Sequence, residues 1–502
     1  MSHHRVSKVS KSVIVIGSGM GGMAVAARLA KRGHKVKVFE AASFAGGKCR
    51  TETISGFSFD TGPSLLTLPA VYRDLFVKTG KRLEHIAQLD PVDPSFTYIF
   101  DDGKRVTFPN LSHSGTVSAI AKSFGVQAGD AWHQLLIRAE KMWDASRQNF
   151  IESELRSPLE MIRTPSLLRD LKTIAPFTSL RDLVRSYTDN VHIGKIIDRY
   201  ATYTGSDPRK VPAVLLTIVF VEEAFGAWHV SGGVGTLAKS LETRLSDLGV
   251  ELQLNTKVAQ IITKSGMASG VKLANGQIHI SDVVIANSDA ELVYNQLLEK
   301  TSKTKRARKS LNKATASLSG FSLLLGLRGS SELGHHTVFF PKDYDAEFDS
   351  IFGKKKPVED PAIYICNPLD AKMRRNGADE SWSVLINAPR HEPGVGFDWD
   401  EKSATEYSHH IIDLMEARGL DIRSRLEVIE YRSPADLAKS VSAPGGSIYG
   451  TSSNGARSAF WRARNRSKIK NLFLVGGSTH PGGGLPLVGI SAEIVAEAVE
   501  EN

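Results

Sequence analysis

The sequence predicts an α/β fold: a Rossmann-type nucleotide-binding domain built from separated chain segments, with a second, α+β domain inserted between them. Residues 12–29 have the pattern of a buried strand, a glycine turn and an amphipathic helix, and residues 471–499 repeat that order near the other end of the chain. Residues 250–287 have a clear strand pattern, with a two-residue hairpin turn at Asn275 and Gly276. At 502 residues the chain is too long for one simple core, so two or more domains are expected.

The N-terminal glycine turn has the spacing of a dinucleotide-binding motif. Gly17, Gly19 and Gly22 occupy its three key positions, and Gly21 stands beside the last. The first glycine allows a tight turn, the second lets the backbone approach a pyrophosphate, and the third lets the helix pack against the strand. The N-terminus of the following helix offers N–H groups and a positive dipole end to phosphates.

The second strand, residues 36–39, ends in Glu40. A carboxylate at this position can accept hydrogen bonds from both ribose hydroxyls of an adenosine, and it would repel a 2′-phosphate. In the next loop Gly46 and Gly47 permit backbone conformations closed to other residues, and Lys48 and Arg50 could reach phosphate oxygens. This combination disfavours the alternative of an apolar strand and loop that merely contain glycines.

The number of cysteines and the pattern of the N-terminal residues indicate the cellular compartment of the protein. Cys49 and Cys366 are the two cysteines, which excludes a disulfide framework or a cysteine-rich metal site, predicts no metal, and fits a reducing cytoplasm. The basic start followed by an apolar run imitates a secretory signal, but cleavage there would destroy the nucleotide motif.

Hydropathy and charge indicate which membrane or nucleic-acid partners the chain can have. No run reaches the roughly 18 apolar residues of a membrane span. The longest, residues 211–221, is followed by Glu222 and Glu223, and we expect a buried helix rather than a membrane-contacting one. The net charge of +9 is concentrated in two clusters, residues 303–313 and 457–470. We expect solvated faces there, with anionic lipid headgroups second; no nucleic acid is expected, because neither cluster sits in a recognition module.

The middle of the chain carries fewer signals. Residues 71–199 are predicted to be mostly helical, and residues 321–327 a strand of the inserted domain's sheet. Large aromatic side chains in these regions are expected in the core rather than in contact with a ligand: Trp132, Trp143, Phe150, Tyr344, Phe348 and Phe352.

Three stretches together resemble the bacterial phytoene desaturase family of FAD enzymes, which is related to the amine oxidases. Gly46–Lys48 is similar to the second nucleotide motif of these enzymes, although arginine is more usual than lysine. Phe59–Pro63 matches their F-D-x-G-P pattern, and Gly477–Pro486 matches their characteristic C-terminal T-H-P-G-x-G-x-P loop. The motifs stand in the family's order and span nearly the whole chain.

The resemblance implies a discontinuous FAD-binding domain of residues 12–90, 230–300 and 465–502, with residues 91–229 and 301–464 forming a substrate and membrane-contacting domain. It places Gly62 and Pro63 near the flavin ring, and the backbone of Val258 against the adenine. Gly476 and Gly477 would approach the ribityl diphosphate. The helix that follows would point its dipole at the reduced flavin, through Pro486, Leu487 and Val488.

A further glycine cluster, Gly232, Gly233 and Gly235, precedes a helix. It could form a second phosphate site, or it could let the chain cross close to the FAD domain; the resemblance favours the crossing. The family's W-x-P-x-G-G-x-G pattern is altered here, with Val230 in the proline position and His229 beside Trp228. Because of this departure, the substrate of the family cannot be carried over to this chain from this segment.

The implied reaction is desaturation of an acyclic carotene or apocarotene. A hydride would leave an allylic carbon for the flavin and a neighbouring proton would follow, so alignment and exclusion of water matter more than a strong base. No catalytic residue is named, because His480, Glu222 and Asp207 can equally be structural. Other activities of the superfamily stay open, namely carotenoid oxygenase, carotenoid isomerase or retinoid saturase, as does a non-enzymatic flavoprotein. The expected location is cytoplasmic, peripherally attached to the inner face of the membrane; the oligomeric state is left open.

Overall fold

The computed structural model describes residues 9–155, 167–456 and 458–502. In chain order its strands are β1 (Ser12–Ile16), β2 (Lys35–Phe39), β3 (Thr51–Ile54), β4 (Phe57–Asp60), β5 (Leu89–Pro91), β6 (Phe96–Ile99), β7 (Arg105–Phe108), β8 (Trp228–Val230), β9 (Glu251–Gln253), β10 (Val258–Lys264), β11 (Met267–Leu273), β12 (Ile278–Ile280), β13 (Val283–Ala286), β14 (Ser319–Leu327), β15 (His336–Phe339), β16 (Ile363–Cys366), β17 (Glu380–Ala388), β18 (Leu426–Arg432) and β19 (Leu472–Leu474).

The α-helices in chain order are α1 (Met20–Lys31), α2 (Ala70–Thr79), α3 (His113–Phe124), α4 (Val126–Ser146), α5 (Leu167–Ile174), α6 (Leu180–Arg185), α7 (Val191–Thr202), α8 (Thr217–Phe225), α9 (Gly235–Asp247), α10 (Ala290–Leu292), α11 (Ser302–Lys313), α12 (Asp345–Phe348), α13 (Glu401–Ala417), α14 (Pro434–Val441), α15 (Ser458–Trp461) and α16 (Leu485–Glu500). In the part of the chain that the structure describes, no helix combines the length and apolar character needed to cross a bilayer.

Five strands from distant parts of the chain form one parallel sheet, in the order β19–β13–β1–β2–β9. The C-terminal strand β19 pairs with β13, so the prediction that it enters the N-terminal sheet is confirmed. In a parallel sheet the carboxyl ends of the strands lie at one edge, and ligands bind there where the strand order reverses. The loops after β1, β2, β13 and β19 therefore converge.

The side chains of β1 point alternately to the two faces of the parallel sheet, and each face is covered by other elements. Val13 and Val15 pack under a layer formed by α1, α9 and α16. Ile14 and Ile16 point to the other face, against the antiparallel sheet β10–β11–β12. Each of these side chains is at most 5% exposed, which contributes roughly 1.5–3 kcal/mol per side chain to folding.

A second, seven-stranded mixed sheet has the order β18–β14–β17–β16–β15–β6–β7. The predicted strand at residues 321–327 lies within β14. Phe321 and Leu323 pack against α13, whereas Gly320 and Ser322 face a large cavity. The predicted domain boundaries stay a prediction, although the strands of each main sheet fall within one predicted set of segments.

The prediction that residues 71–199 are mostly helical is correct for α2–α7 and wrong for residues 89–108. There β6 and β7 form an antiparallel pair, and β6 continues the mixed sheet by pairing in parallel with β15. The strand depends on a partner more than 200 residues away, which no local pattern reveals.

Candidate active site

One cavity of about 1380 Å³ joins the carboxyl edge of the parallel sheet to the mixed sheet and the helices beside it. Nearly all residues predicted to bind the cofactor line it: Gly17, Gly19, Gly21, Glu40, Gly46, Gly47, Lys48, Gly62, Pro63, Val258, Gly476, Gly477, Pro486, Leu487 and Val488. Segments far apart in sequence thus meet at one surface.

Gly22 stands behind the turn rather than on the cavity surface. A Cβ atom on Gly22 would lie 2.2 Å from the carbonyl oxygen of Gly17, so this position admits no side chain. Gly17 itself has a φ of +94°, and a Cβ there would lie 2.8 Å from the carbonyl oxygen of Asn287. These contacts are the tight turn and the helix–strand packing expected of the first and third motif glycines.

Asn287, directly after β13, fastens the two glycine loops together and was missed by the sequence reading. Its backbone N–H donates to the Ile16 carbonyl at 2.8 Å, and its Nδ2 donates to the Val475 carbonyl at 2.9 Å. Its Oδ1 lies 2.7 Å from where a Cβ of Gly19 would be. The available signal was a polar residue directly following a buried strand, but only the strand order places it between the loops.

Glu40 is held at the end of β2 by three donors. Its Oε2 accepts hydrogen bonds from the Ser18 N–H at 2.7 Å and the Ser18 hydroxyl at 3.0 Å, and its Oε1 accepts from the Ala42 N–H at 2.8 Å. An ionised carboxylate offers about four acceptor positions. The side chain is therefore fixed in orientation while it keeps capacity for a ribose hydroxyl.

Lys48 and Arg50, which were expected to reach phosphate oxygens, both contact other groups of the protein. The Lys48 Nζ donates to the carbonyls of Ile448 and Ser447 at 2.6 and 3.2 Å, and burial lowers its pKa to about 8 against the opposing charge of Asp289. The Arg50 guanidinium pairs with Glu52 at 3.2 Å and lies over the ring of Phe44. Lys48 thus ties its glycine loop to residues 447–448, and the phosphate role of Lys48 and Arg50 stays a prediction.

Arg462 is a second side chain that the sequence reading misplaced, because it belongs to a basic cluster expected to be solvated. It is 7% exposed and donates to the carbonyls of Tyr449, Thr451 and Gly477 at 2.8–3.1 Å. Burial lowers its pKa to about 10. Arg462 therefore clamps the C-terminal glycine loop, whereas Arg464 of the same cluster is exposed and Arg457 lies outside the described residues.

The glycine cluster before α9 is a close crossing, not a second phosphate site. A Cβ on Gly233 would lie 2.4 Å from the Thr51 Oγ1. Carboxylates already accept from the backbone here, since the Val234 N–H donates to Asp60 at 3.0 Å and the Gly232 N–H donates to Asp370 at 2.6 Å. Burial raises the pKa of Asp60 to about 7.

The half of the cavity away from the glycine loops has largely apolar walls. Trp143 and Tyr344 are buried as expected, but they also line the cavity, as does the half-buried Phe150. Trp132 and Phe348 are core residues as expected. The apolar run before Glu222 is a turn followed by α8. The side chains of α8 and the preceding turn that face the cavity are Val214, Leu215, Thr217, Ile218 and Val221.

The three titratable candidates have structural partners. Glu222 accepts from the hydroxyls of Tyr200 and Tyr203, at 2.5 and 3.2 Å. The His480 Nε2 lies 2.9 Å from the Ser153 carbonyl, and burial lowers the pKa of this imidazole to about 4. Asp207 is fully buried and pairs with an adjacent arginine at 2.9 Å. None of the three is among the described residues that line the cavity.

A buried group away from these contacts contains potential metal ligands. The ligand atoms of His335, His336 and Cys366 lie within 4.8 Å of one another. The expectation of no metal, which rested on the low cysteine count, stays a prediction.

The site suits FAD in three respects. The helices α1 and α16 both begin at glycines without a side-chain cap, which leaves their positive ends available to anionic groups. Glu40 lines the cavity at the end of β2, where the ribose is expected, and the same cavity extends from the nucleotide loops to Gly62 and Pro63. The family described as flavin containing amine oxidoreductase matches residues 20–318. The chain belongs to this family.

Within it, the relatives carry carotenoid-related names and match the whole chain. The 1-hydroxycarotenoid 3,4-desaturase of Flavobacterium sp. strain P99-3 is 30% identical, over 97% of this chain and 99% of its own. The zeta-carotene-forming phytoene desaturase of Myxococcus xanthus is 31% identical, over 98% and 94%. The 4,4'-diapolycopene oxygenase of a Methylomonas species is 29% identical, over 98% and 99%. The protein is thus a carotenoid desaturase-like, FAD-dependent oxidoreductase acting on CH–CH groups.

A solved member of the amine oxidase fold has the same architecture. Putrescine oxidase in complex with putrescine matches with a TM-score of 0.64 over 98% of this chain and 100% of that structure, at 14% identity. The Rossmann-type FAD fold is therefore confirmed.

Proposed function

We propose that the protein desaturates an acyclic polyene of the carotene or apocarotene class. The observation that carries the proposal is the continuity of the cavity: the glycine loops and the apolar side chains of α8 line one volume of about 1380 Å³. A long apolar substrate can therefore extend within one cavity from the apolar side chains to the glycine loops. The names of the desaturase relatives support a polyene as that substrate.

FAD, when bound, supplies the two-electron acceptor for hydride transfer. The chain's own part is to hold the polyene in line and to keep water out. Ile218 and Val221 on α8, together with Tyr344, contribute apolar surface to the cavity wall for that purpose. The substrate loses one hydride and one proton and gains one double bond, and conjugation stabilises the developing positive charge, so no strong base is required.

Oxygenation is the second candidate, because the Methylomonas relative is named an oxygenase. Product mass separates the possibilities. Desaturation lowers the mass by two hydrogens and oxygenation raises it by oxygen. Isomerisation leaves the mass unchanged, and saturation adds two hydrogens.

The test uses purified, FAD-loaded protein with a panel of polyenes in liposomes: phytoene, more desaturated acyclic carotenes, hydroxylated carotenes and shorter apocarotenes. We expect at least one product with a red-shifted spectrum and two fewer hydrogens. Absence of any such product across the panel would contradict the proposal. Flavin that stays oxidised with every polyene would favour a non-enzymatic role.

Peripheral membrane contact is part of the proposal, because the substrate class resides in bilayers. Leu111 and Phe225 are 50% and 37% exposed, and Leu111 packs beside Gly226. The Phe225 ring lies 6.2 Å from that of Trp143, which lines the cavity. This apolar patch at the cavity wall supports entry of substrate from a membrane surface. The proposed location is the inner face of the cytoplasmic membrane.

Flotation with liposomes tests the membrane contact. We expect the protein to float, and Phe225→Asp with Leu111→Asp to reduce flotation. Val395→Asp is the control, because Val395 is 77% exposed and does not line the cavity. Protein that stays wholly in the aqueous fraction contradicts the proposed contact.

A further inference from the structure

A buried arginine lies in the wall of the cavity. Arg199 belongs to α7, is 7% exposed and lines the cavity. Its guanidinium is surrounded by aromatic rings, with centroids 4.8–6.0 Å away, contributed by Phe96, Tyr98, Tyr203 and Tyr364. Such a ring of π-faces holds a cation in a fixed place without using its hydrogen-bond donors.

The hydrogen-bonding capacity of Arg199 is incompletely used. Its Nη1 is buried without a hydrogen-bond partner in the part of the chain that the structure describes. Glu222 provides a compensating negative charge nearby, but its two oxygens accept from the hydroxyls of Tyr200 and Tyr203. A buried donor without a partner is costly, so such groups occur where a ligand or water supplies the acceptor.

We infer that Arg199 binds the oxygen of a polar end group on the substrate, so that the preferred substrate is an acyclic polyene with a hydroxyl or carbonyl at one end. This inference rests on the proposed function and names its substrate class. Hydrocarbon carbon cannot accept the hydrogen bond that Nη1 offers, whereas either oxygen can.

The charge balance favours a neutral end group over a carboxylate. Burial raises the pKa of Glu222, while the charge of Arg199 and two tyrosine hydroxyls that donate to its oxygens act in the opposite direction and favour a carboxylate that only accepts. Arg199 and Glu222 together then carry no net charge. A substrate carboxylate would add a second negative charge to this buried region without a second cation.

The position of Arg199 bears on which bond reacts. The Tyr364 ring lies 5.4 Å from the guanidinium, and its hydroxyl is 2.8 Å from that of Ser64. Ser64 directly follows Gly62 and Pro63, the segment expected beside the flavin ring. A substrate held at Arg199 by its end group therefore presents the end of its chain, rather than its middle, to this segment.

Equilibrium binding tests the inference without turnover. Four polyenes of equal length are compared: a hydrocarbon, and the same chain ending in a hydroxyl, an aldehyde or a carboxylate. Pigment retained with the FAD-loaded protein after ultrafiltration gives each dissociation constant. We expect the wild type to bind the hydroxyl and aldehyde forms roughly 10- to 100-fold more tightly than the hydrocarbon, and more tightly than the carboxylate.

Arg199→Met should bring the ratio between hydroxylated and hydrocarbon polyene close to one. Because this change leaves Glu222 without its counter-charge, the double variant Arg199→Met/Glu222→Gln is measured beside it, with FAD content and melting temperature as folding controls. Arg375→Met is the matched control, since Arg375 lies 4.4 Å over the ring of Phe57 outside the cavity. It should keep the wild-type ratio.

Equal binding of hydrocarbon and hydroxylated forms by the wild type, or an unchanged ratio in both Arg199 variants, would overturn the inference. Tightest binding of the carboxylate would overturn the assignment of a neutral end group. If the ratio holds but no polyene is converted, the proposed function fails and the end-group site stands. If polyenes are converted without any preference, the proposed function stands and this inference fails.

Discussion

At the nucleotide end of the cavity the walls are mostly backbone, held so closely that a single added carbon would collide, as between Gly22 and Gly17. At the polyene end the walls are side chains from α7, α8 and the mixed sheet, and Arg199 there has a donor that no described residue pairs with. The first region therefore specifies one ligand by a backbone geometry that tolerates no added side chain. The second specifies its ligand by chemistry that a few substitutions can alter.

Gly22→Val is the substitution expected to disrupt the nucleotide end of the cavity most strongly. Its Cβ would lie 2.2 Å from the Gly17 carbonyl oxygen, so α1 must move away from the turn. We expect no retained FAD and a loss of at least about 3 kcal/mol in the free energy of unfolding. FAD content after gel filtration and urea unfolding measure both. Gly194→Val is the control, because no described residue lies within 4 Å of a Cβ added to this helical glycine. Full flavin occupancy in Gly22→Val would show that the turn is misplaced.

A pH-dependent effect is expected at Asp60, near the crossing of Gly233 over β3 and β4. Burial raises its pKa from 3.8 to about 7, so the folded state binds a proton more tightly than the unfolded state. The resulting stability is fully present below about pH 4 and is lost as the pH rises through 7, a change of roughly 4 kcal/mol. Asp60→Asn removes this dependence. Urea unfolding of both proteins at pH 4, 6 and 8 measures it, and a constant difference between them would contradict the buried-acid assignment.

Glu40→Gln changes one expected ligand contact at the nucleotide end without adding volume. The amide keeps the shape of the side chain but loses the charge that strengthens hydrogen bonds to ribose hydroxyls, so the dissociation constant of FAD should rise roughly 10- to 100-fold. Titration of the apoprotein with FAD, followed by flavin fluorescence, gives the value. Glu251→Gln on the neighbouring β9 should change nothing, because Glu251 is exposed and pairs with Lys37. An unchanged affinity in Glu40→Gln would place the adenosine elsewhere.

A larger side chain in the polyene end of the cavity should have the smallest effect on the nucleotide end. Ile218 on α8 faces the cavity and is half-buried. Ile218→Trp should leave FAD affinity and stability nearly unchanged, within about 1.5 kcal/mol, while it reduces retention of polyenes. Loss of FAD from this variant would mean that the two ends are not separate.

The same contrast explains what the sequence could predict. The glycine turns and Glu40 were recognisable because close backbone approach demands glycine at fixed spacings, and the strand order then brought these segments together as expected. Asn287 and Arg199 were missed because their partners lie about 100 residues or more away in the chain, as Val475 does from Asn287 and Phe96 from Arg199. Arg462 was missed although its partners are only 11–15 residues away, because they are backbone carbonyls of loops. Arg462 resembled its solvated neighbours in the basic cluster, and nothing local separates it from them.

Strand β6 and the cavity wall were missed for a related reason. β6 exists because β15 pairs with it, and Trp143 and Tyr344 line the cavity because the mixed sheet and α4 stand apart there. A large aromatic residue has the same local pattern whether it faces a core or a ligand, so only the assembled fold separates the two.

Anaerobic mixing of the FAD-loaded protein with an acyclic polyene in liposomes tests the central claim, that one cavity brings polyene and flavin together. The absorbance of oxidised flavin and the mass of the polyene are followed in the same sample. We expect flavin reduction with one polyene losing two hydrogens for each flavin reduced. Flavin that stays oxidised with every polyene that binds would contradict the claim.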